Sequence, residues 1–136
     1  MSWYKMAQSK IRLWLDDNRD PKDPKIQELF GSRGDEVWVK TMDEAVNYIE
    51  RSNVSFISFD HDLDNEGDSP IEKTGYHLAC WIEERAFNGT LDPIGWNVHS
   101  RNPVGSNDIV AAMNKADEFW GQERGRGRGQ EGVKSE

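Results

Sequence analysis

Short apolar runs alternate with polar turns and amphipathic stretches along this chain. Ile11 to Leu15 reads as a first strand, ended at once by Asp16-Asp17-Asn18-Arg19. Asp20-Pro-Lys-Asp-Pro is a loop, with Pro24 suited to the first turn of a short helix over Lys25 to Phe30, stopped by Gly31. Glu36 to Lys40 gives a second strand. Thr41-Met-Asp-Glu44 matches a capping box, and Ala45, Val46 and Ile49 then share one face of a second helix. Val54 to Phe59 is short and strongly apolar, so it reads as a buried central strand, ending in Asp60-His61-Asp62.

A polar loop is expected over residues 64–74, then a third helix from Gly75 to Phe87 with Leu78, Ile82 and Ala86 four residues apart. Trp96 to Ser100 makes a fourth strand, and Arg101 to Asn107 a loop. Ile109, Val110, Met113, Ala116 and Trp120 form the apolar face of a last helix. The alternation of strands and helices requires parallel strands joined by right-handed crossovers. It predicts an α/β doubly wound sheet of four strands in the order 2-1-3-4, with helices on both faces, one strand short of a five-stranded domain.

At 136 residues the chain supports one domain with a real core. Residues 1–10 are read as a loose leader, 11–121 as the domain, and 122–136, rich in Arg and Gly, as a disordered, solvated tail. The sequence has no run long enough to span a membrane and no secretory signal. Its single cysteine, Cys80, lies in an apolar run where packing is its expected role. A cytoplasmic location is the expectation. The net charge of -8 argues against non-specific binding to DNA, and the part before residue 122 is more acidic still, with 13 basic and 22 acidic residues.

All parallel strands point their carboxyl ends to one edge, where open α/β sheets place ligand sites. Three of these four strands end in reactive groups: Asp16-Asp17, Asp60-His61-Asp62 and His99-Ser100. Several carboxylates suit Mg²⁺ or Mn²⁺, with Asp16, Asp17 and Asp60 as ligands and Asp62 in support. Imidazoles titrate near neutrality and move protons, which makes His99 and His61, with Asp60, candidate catalytic residues. Arg19, Ser100, Asn102 and Gly105 are candidate substrate contacts, the backbone N–H groups of residues 102–105 resembling a phosphate-binding helix start. Plainer roles stand beside these. Asp17 could cap the following segment, His61 could be a packed core residue, His99 could donate to a backbone carbonyl, and His77 is read as structural.

The double acid after the first strand, the acid after the third and the hydroxyl after the fourth resemble the acidic pocket of response-regulator receiver domains, of flavodoxin-like three-layer fold. The fuller set Leu-Trp-Leu-Asp-Asp-x-Arg-x-Pro, Asp-His-Asp-Leu, Thr-Gly-Tyr and His-Ser-x-Asn-Pro-x-Gly resembles the cyclic-phosphate-processing receiver family, over about residues 11–120. That resemblance implies a domain acting on a cyclic phosphate of a nucleotide or RNA end, in phage or prokaryotic conflict systems, and so in a host cytoplasm if phage-encoded. No lysine follows a fifth strand, which leaves Arg101, Lys115 and Arg19 as candidates to supply positive charge. Three functions compete: a metal-dependent phosphoesterase opening a cyclic phosphate, a phosphoacceptor switch modified at Asp60, and a non-catalytic binder of nucleotides or a partner protein with an anti-defence role.

Overall fold

The computed structural model describes residues 9–61, 63, 74–100 and 103–125. Four strands, β1 (Lys10–Leu15), β2 (Val37–Val39), β3 (Asn53–Phe59) and β4 (Gly95–Val98), form one parallel sheet in the order β2-β1-β3-β4. Four helices connect and follow them: α1 (Pro24–Phe30), α2 (Met42–Arg51), α3 (Gly75–Asn88) and α4 (Pro103–Gly125). Order and direction are as the alternation predicts, and none of the described helices is long and apolar enough to cross a membrane.

Local chemistry sets the boundaries. Asp23 caps α1 by accepting from the Lys25 N–H, Pro24 opens it, and Gly31 ends it with φ +83°. Thr41 caps α2 by accepting from the Glu44 N–H, but Glu44 reaches one residue further back than a capping box requires, to the Lys40 N–H at 2.7 Å. His77 is structural, its Nδ1 accepting from the Thr74 N–H at 3.0 Å at the start of α3. The expected loop over residues 101–107 is shorter than predicted, since α4 already begins at Pro103, whose fixed φ suits the first helical position. At its other end α4 runs on to Gly125. Asp62, Asn102, most of the polar loop, residues 1–8 and residues 126–136 lie outside the described residues.

Alternation along the strands divides the sheet into two unlike faces. Leu13, Leu15, Val39, Val54, Ile57 and Phe59 pack with Ala45 and Ile49 of α2, Leu78, Ala79 and Ile82 of α3, and Ile109, Met113 and Ala116 of α4 in one core. The β1–β3 register shifts between Ile11 and Arg12, leaving Ser55 as an extra residue. That bulge lets Val54 and Ile57, an odd number of residues apart, both face the helices. The opposite face carries Arg12, Trp14, Trp38, Phe56, Ser58, Gly95 and Asn97. Its helical cover is α1, which has no buried residue and leans Phe30 towards the His99 ring. Helices therefore lie on both faces, but very unequally.

Candidate functional site

Register across the sheet stacks the chemistry into rows. Trp14, Ser58 and Asn97 are aligned neighbours on β1, β3 and β4, and two residues below them so are Arg12, Phe56 and Gly95. One step above the Trp14 row, past the strand ends, come Asp16, Asp60 and His99. Their backbones continue the ladder, with the Asp16, Asp60 and His99 N–H groups donating to Val39, Leu15 and Phe59 carbonyls. The three side chains thus share one face and one edge, and all are buried. Asp16, Asp17 and Asp60 have ligand oxygens within 4.8 Å of one another. Charge accumulation at the carboxyl edge is real.

Asp16 is the fixed member. Its Oδ1 accepts from the Asn18 and Arg19 N–H groups, each at 2.9 Å, so Asp16, not Asp17, makes the local turn. Its Oδ2 lies 3.1 Å from Arg19 Nη1 and 2.9 Å from His99 Nε2. Burial alone would raise its pKa, but His99, the two amides and the guanidinium outweigh burial and hold it below the usual carboxylate value. Asp60 is the contrasting member. Burial and then the nearby Asp16 charge push it up to about 6, against the opposing pull of His99 and Arg19. Arg19 Nη1 sits 3.6 Å from Asp60 Oδ2, and its guanidinium lies over the Phe30 ring at 4.4 Å. The candidate cation of the site is thus Arg19, already bridging two carboxylates. Lys115 is exposed about three turns into α4, and Arg101 lies outside the described residues.

His99 is held on every side. Nε2 meets Asp16, Nδ1 lies 2.7 Å from Ser58 Oγ, and the ring stacks on Trp14 with centroids 3.8 Å apart and planes within 7°. Ser58 Oγ also contacts Asn97 Oδ1. Two lone pairs cannot face each other at 2.9 Å, so beside an ionised Asp16 the proton sits on Nε2, which donates to Oδ2. The expected donation of His99 to a backbone carbonyl is replaced by this carboxylate contact. His61 sits differently: half-buried, it follows Asp60, and its ring fills the space above Gly105 at the opening of α4, where an added Cβ would meet ring atoms at 2.3 Å. Gly75 is likewise pressed on the site from α3, with a Cβ position 2.0 Å from the Asp60 carbonyl oxygen. Ser100 is half-buried beyond His99, and Gly105 is buried.

The phosphate-binding role expected for the N–H groups of residues 102–105 is narrower than the sequence suggests, because Pro103 has none to offer. Sequence reasoning missed Trp14 and Ser58, which contact His99, and Asn97, which contacts Ser58. A signal existed: Ser58 and Asn97 are polar at strand positions in phase with Asp60 and His99.

A family model described as the cyclic-phosphate processing receiver domain matches residues 11–115. No curated protein and no solved structure matches the chain significantly.

Proposed function

Because the chain belongs to the cyclic-phosphate processing receiver domain family, we propose that its acidic edge binds a divalent cation and opens a cyclic phosphate on a nucleotide or RNA end. The observation that carries this reading is the convergence of Asp16, Asp17 and Asp60 within 4.8 Å beside an anchored His99. In the reaction, a water oxygen adds to phosphorus, one ring P–O bond breaks, and the leaving oxygen takes up a proton to give a phosphomonoester.

The donor set fits a hard cation: three carboxylates, with no sulfur among the clustered groups. Held by Asp16, Asp17 and Asp60, with Asp62 a further candidate, Mg²⁺ or Mn²⁺ would supply a Lewis acid that acidifies water and offsets charge on the phosphoryl oxygens. The protein's own groups divide the remaining work. Asp16 is immobilised by four donors, so its geometry is set before substrate arrives. Arg19 spans Asp16 and Asp60 and is released to a substrate phosphate once those carboxylates find another cation. His99 spends both nitrogens inside the protein and acts as a positioning residue for Asp16. His61, the more exposed imidazole and the one beside Gly105, is the better group to hand a proton to the leaving oxygen. Ser100, Asn102 and Gly105 remain proposed substrate contacts.

The test compares hydrolysis of 2′,3′-cyclic nucleotides, cyclic-phosphate RNA ends and cyclic oligonucleotides by the parent, His61→Ala, His99→Ala and Asp60→Asn with Mg²⁺ or Mn²⁺. Removing a proton-transfer group lowers rate by about two to four orders of magnitude. His61→Ala should show that loss in kcat, with substrate binding retained, and Asp60→Asn at least as much. A folded, metal-loaded parent that opens none of these substrates would end the enzyme reading.

A further inference from the structure

The sheet face below the acidic edge has little helical cover and an unusual charge. Its strand residues beneath the Asp16 row are Lys10, Arg12, Trp14, Trp38, Asn53, Phe56, Ser58, Gly95 and Asn97: two cations and no acid, in a chain of net charge -8. The Arg12 guanidinium lies over the Phe56 ring at 4.1 Å, a preformed cation–aromatic stack. Arg12 Nε is shut off from solvent and has no hydrogen-bond partner among the described residues. Gly95 leaves room for the Phe56 ring, since a Cβ there would stand 3.0 Å from Cδ1. Gly95 and Asn97 are exposed on β4, and Phe56 and Arg12 are half-buried beside them. Exposed or half-buried positions thus run down the β4 side from Ser100 through Asn97 and Gly95 to Phe56, beside the buried Trp14 and Ser58.

We infer that this face, built on Arg12, Phe56, Gly95 and Asn97, is a docking platform for the bases of a single-stranded nucleic acid whose phosphorylated end lies at the acidic edge. The inference rests on the cyclic-phosphate reading for what occupies the edge. Charge selects the occupant: a polyanion gains on this face what it loses on the acidic remainder of the domain. Ring chemistry agrees, because bases stack on aromatic and guanidinium planes whatever their sequence. Length decides between a nucleotide and a strand. The Phe56 row lies four residues below Asp60, about 13 Å down the sheet, which places it under the next base along a strand rather than under the base bonded to the edge phosphate. Asn97 offers an amide between the two levels.

The probe is a fluorescently labelled five-nucleotide single-stranded RNA with a 3′-terminal phosphate, titrated at low salt against the full chain, Phe56→Leu, Arg12→Gln and Asp60→Asn. Loss of one stacked base weakens binding by about tenfold or more, so that drop is expected for Phe56→Leu and Arg12→Gln, with their folding checked by circular dichroism. Arg12→Gln should also flatten the salt dependence. Asp60→Asn should still bind the strand. Equal affinities for parent, Phe56→Leu and Arg12→Gln would overturn the platform, as would a parent that binds no strand. If that parent still hydrolyses cyclic phosphates, the platform alone has failed and the edge reading stands. Concentration-dependent dimerisation abolished by Phe56→Leu would assign the face to a second copy and overturn the inference too.

Discussion

His99 Nε2 stands 2.9 Å from Asp16 Oδ2, tying the end of β4 to the end of β1 across the intervening β3. The contact is buried at both ends, with the His99 side chain 2% and the Asp16 side chain 0% exposed. It links residues 83 positions apart and joins the two outer ends of the acidic edge.

Removing that imidazole should therefore act first on structure. His99→Ala deletes a partner of Asp16, a partner of Ser58 and the ring stacked on Trp14 at once. Lost buried hydrogen bonds cost about 1–3 kcal/mol each when a partner is left unsatisfied, so the denaturation midpoint should fall clearly. His99→Gln, able to keep one contact, should recover part of the loss. A His99→Ala protein as stable as the parent would remove His99 from the positioning role.

The two buried carboxylates should give opposite pH signatures without metal. Asp60 has a folded pKa of about 6, raised by burial and by Asp16, against roughly 3.9 unfolded. Between about pH 4 and 6 the folded state binds more protons than the unfolded one, so this group's contribution to stability falls as pH rises through that window. Asp16 is lowered, so its contribution is present above the ordinary carboxylate value and is lost as pH falls towards its folded pKa. Asp60→Asn should then be more stable than the parent at pH 8, on the order of 1–3 kcal/mol, with the gap closing towards pH 4. Urea titrations at the two pH values read this directly. An Asp60→Asn protein less stable at pH 8 would contradict the assignment.

Gly75 offers a steric test of how α3 meets the site. Its missing Cβ would lie 2.0 Å from the Asp60 carbonyl oxygen, a backbone atom that cannot swing aside, and its N–H donates to the His61 carbonyl at 2.9 Å. Gly75→Ala should destabilise by roughly 1–3 kcal/mol and displace Asp60 and His61 together. At Gly105 the nearest atoms belong to the His61 ring, so Gly105→Ala should move that ring at lower cost in stability. Equal thermal midpoints for Gly75→Ala and the parent would show that the approach is looser than this geometry.

These contrasts show what the sequence could convey. Element order was legible because each strand is a short apolar run and the first two helix starts are marked, by Pro24 in the first turn of α1 and by Thr41 before Glu44 in α2. The acidic edge was legible because parallel strands must bring Asp16, Asp60 and His99 together. Which carboxylate would be pinned was not, because Arg19, His99 and two amides all chose Asp16, and three of those choices come from a tight local turn. The uneven helical cover was also hidden. It depends on one extra residue, Ser55, resetting the alternation of β3, and on α4 joining α3 on the same side.

Arg19 gives the sharpest test of the cation site. Its Nη1 contacts Asp16 Oδ2 at 3.1 Å and Asp60 Oδ2 at 3.6 Å, so a divalent cation and this guanidinium compete for the same oxygens. In the parent, Mg²⁺ or Mn²⁺ should raise the melting temperature, since a ligand at about 100 times its Kd adds about 2.7 kcal/mol. Arg19→Gln removes the internal competitor. Without metal it should melt lower than the parent, because Asp16 and Asp60 lose their shared counter-charge. With metal its rise should be larger than the parent's. Asp60→Asn should respond less than either. A rise in Arg19→Gln no larger than the parent's, or an Asp60→Asn protein as responsive as the parent, would place any bound cation elsewhere than between these carboxylates.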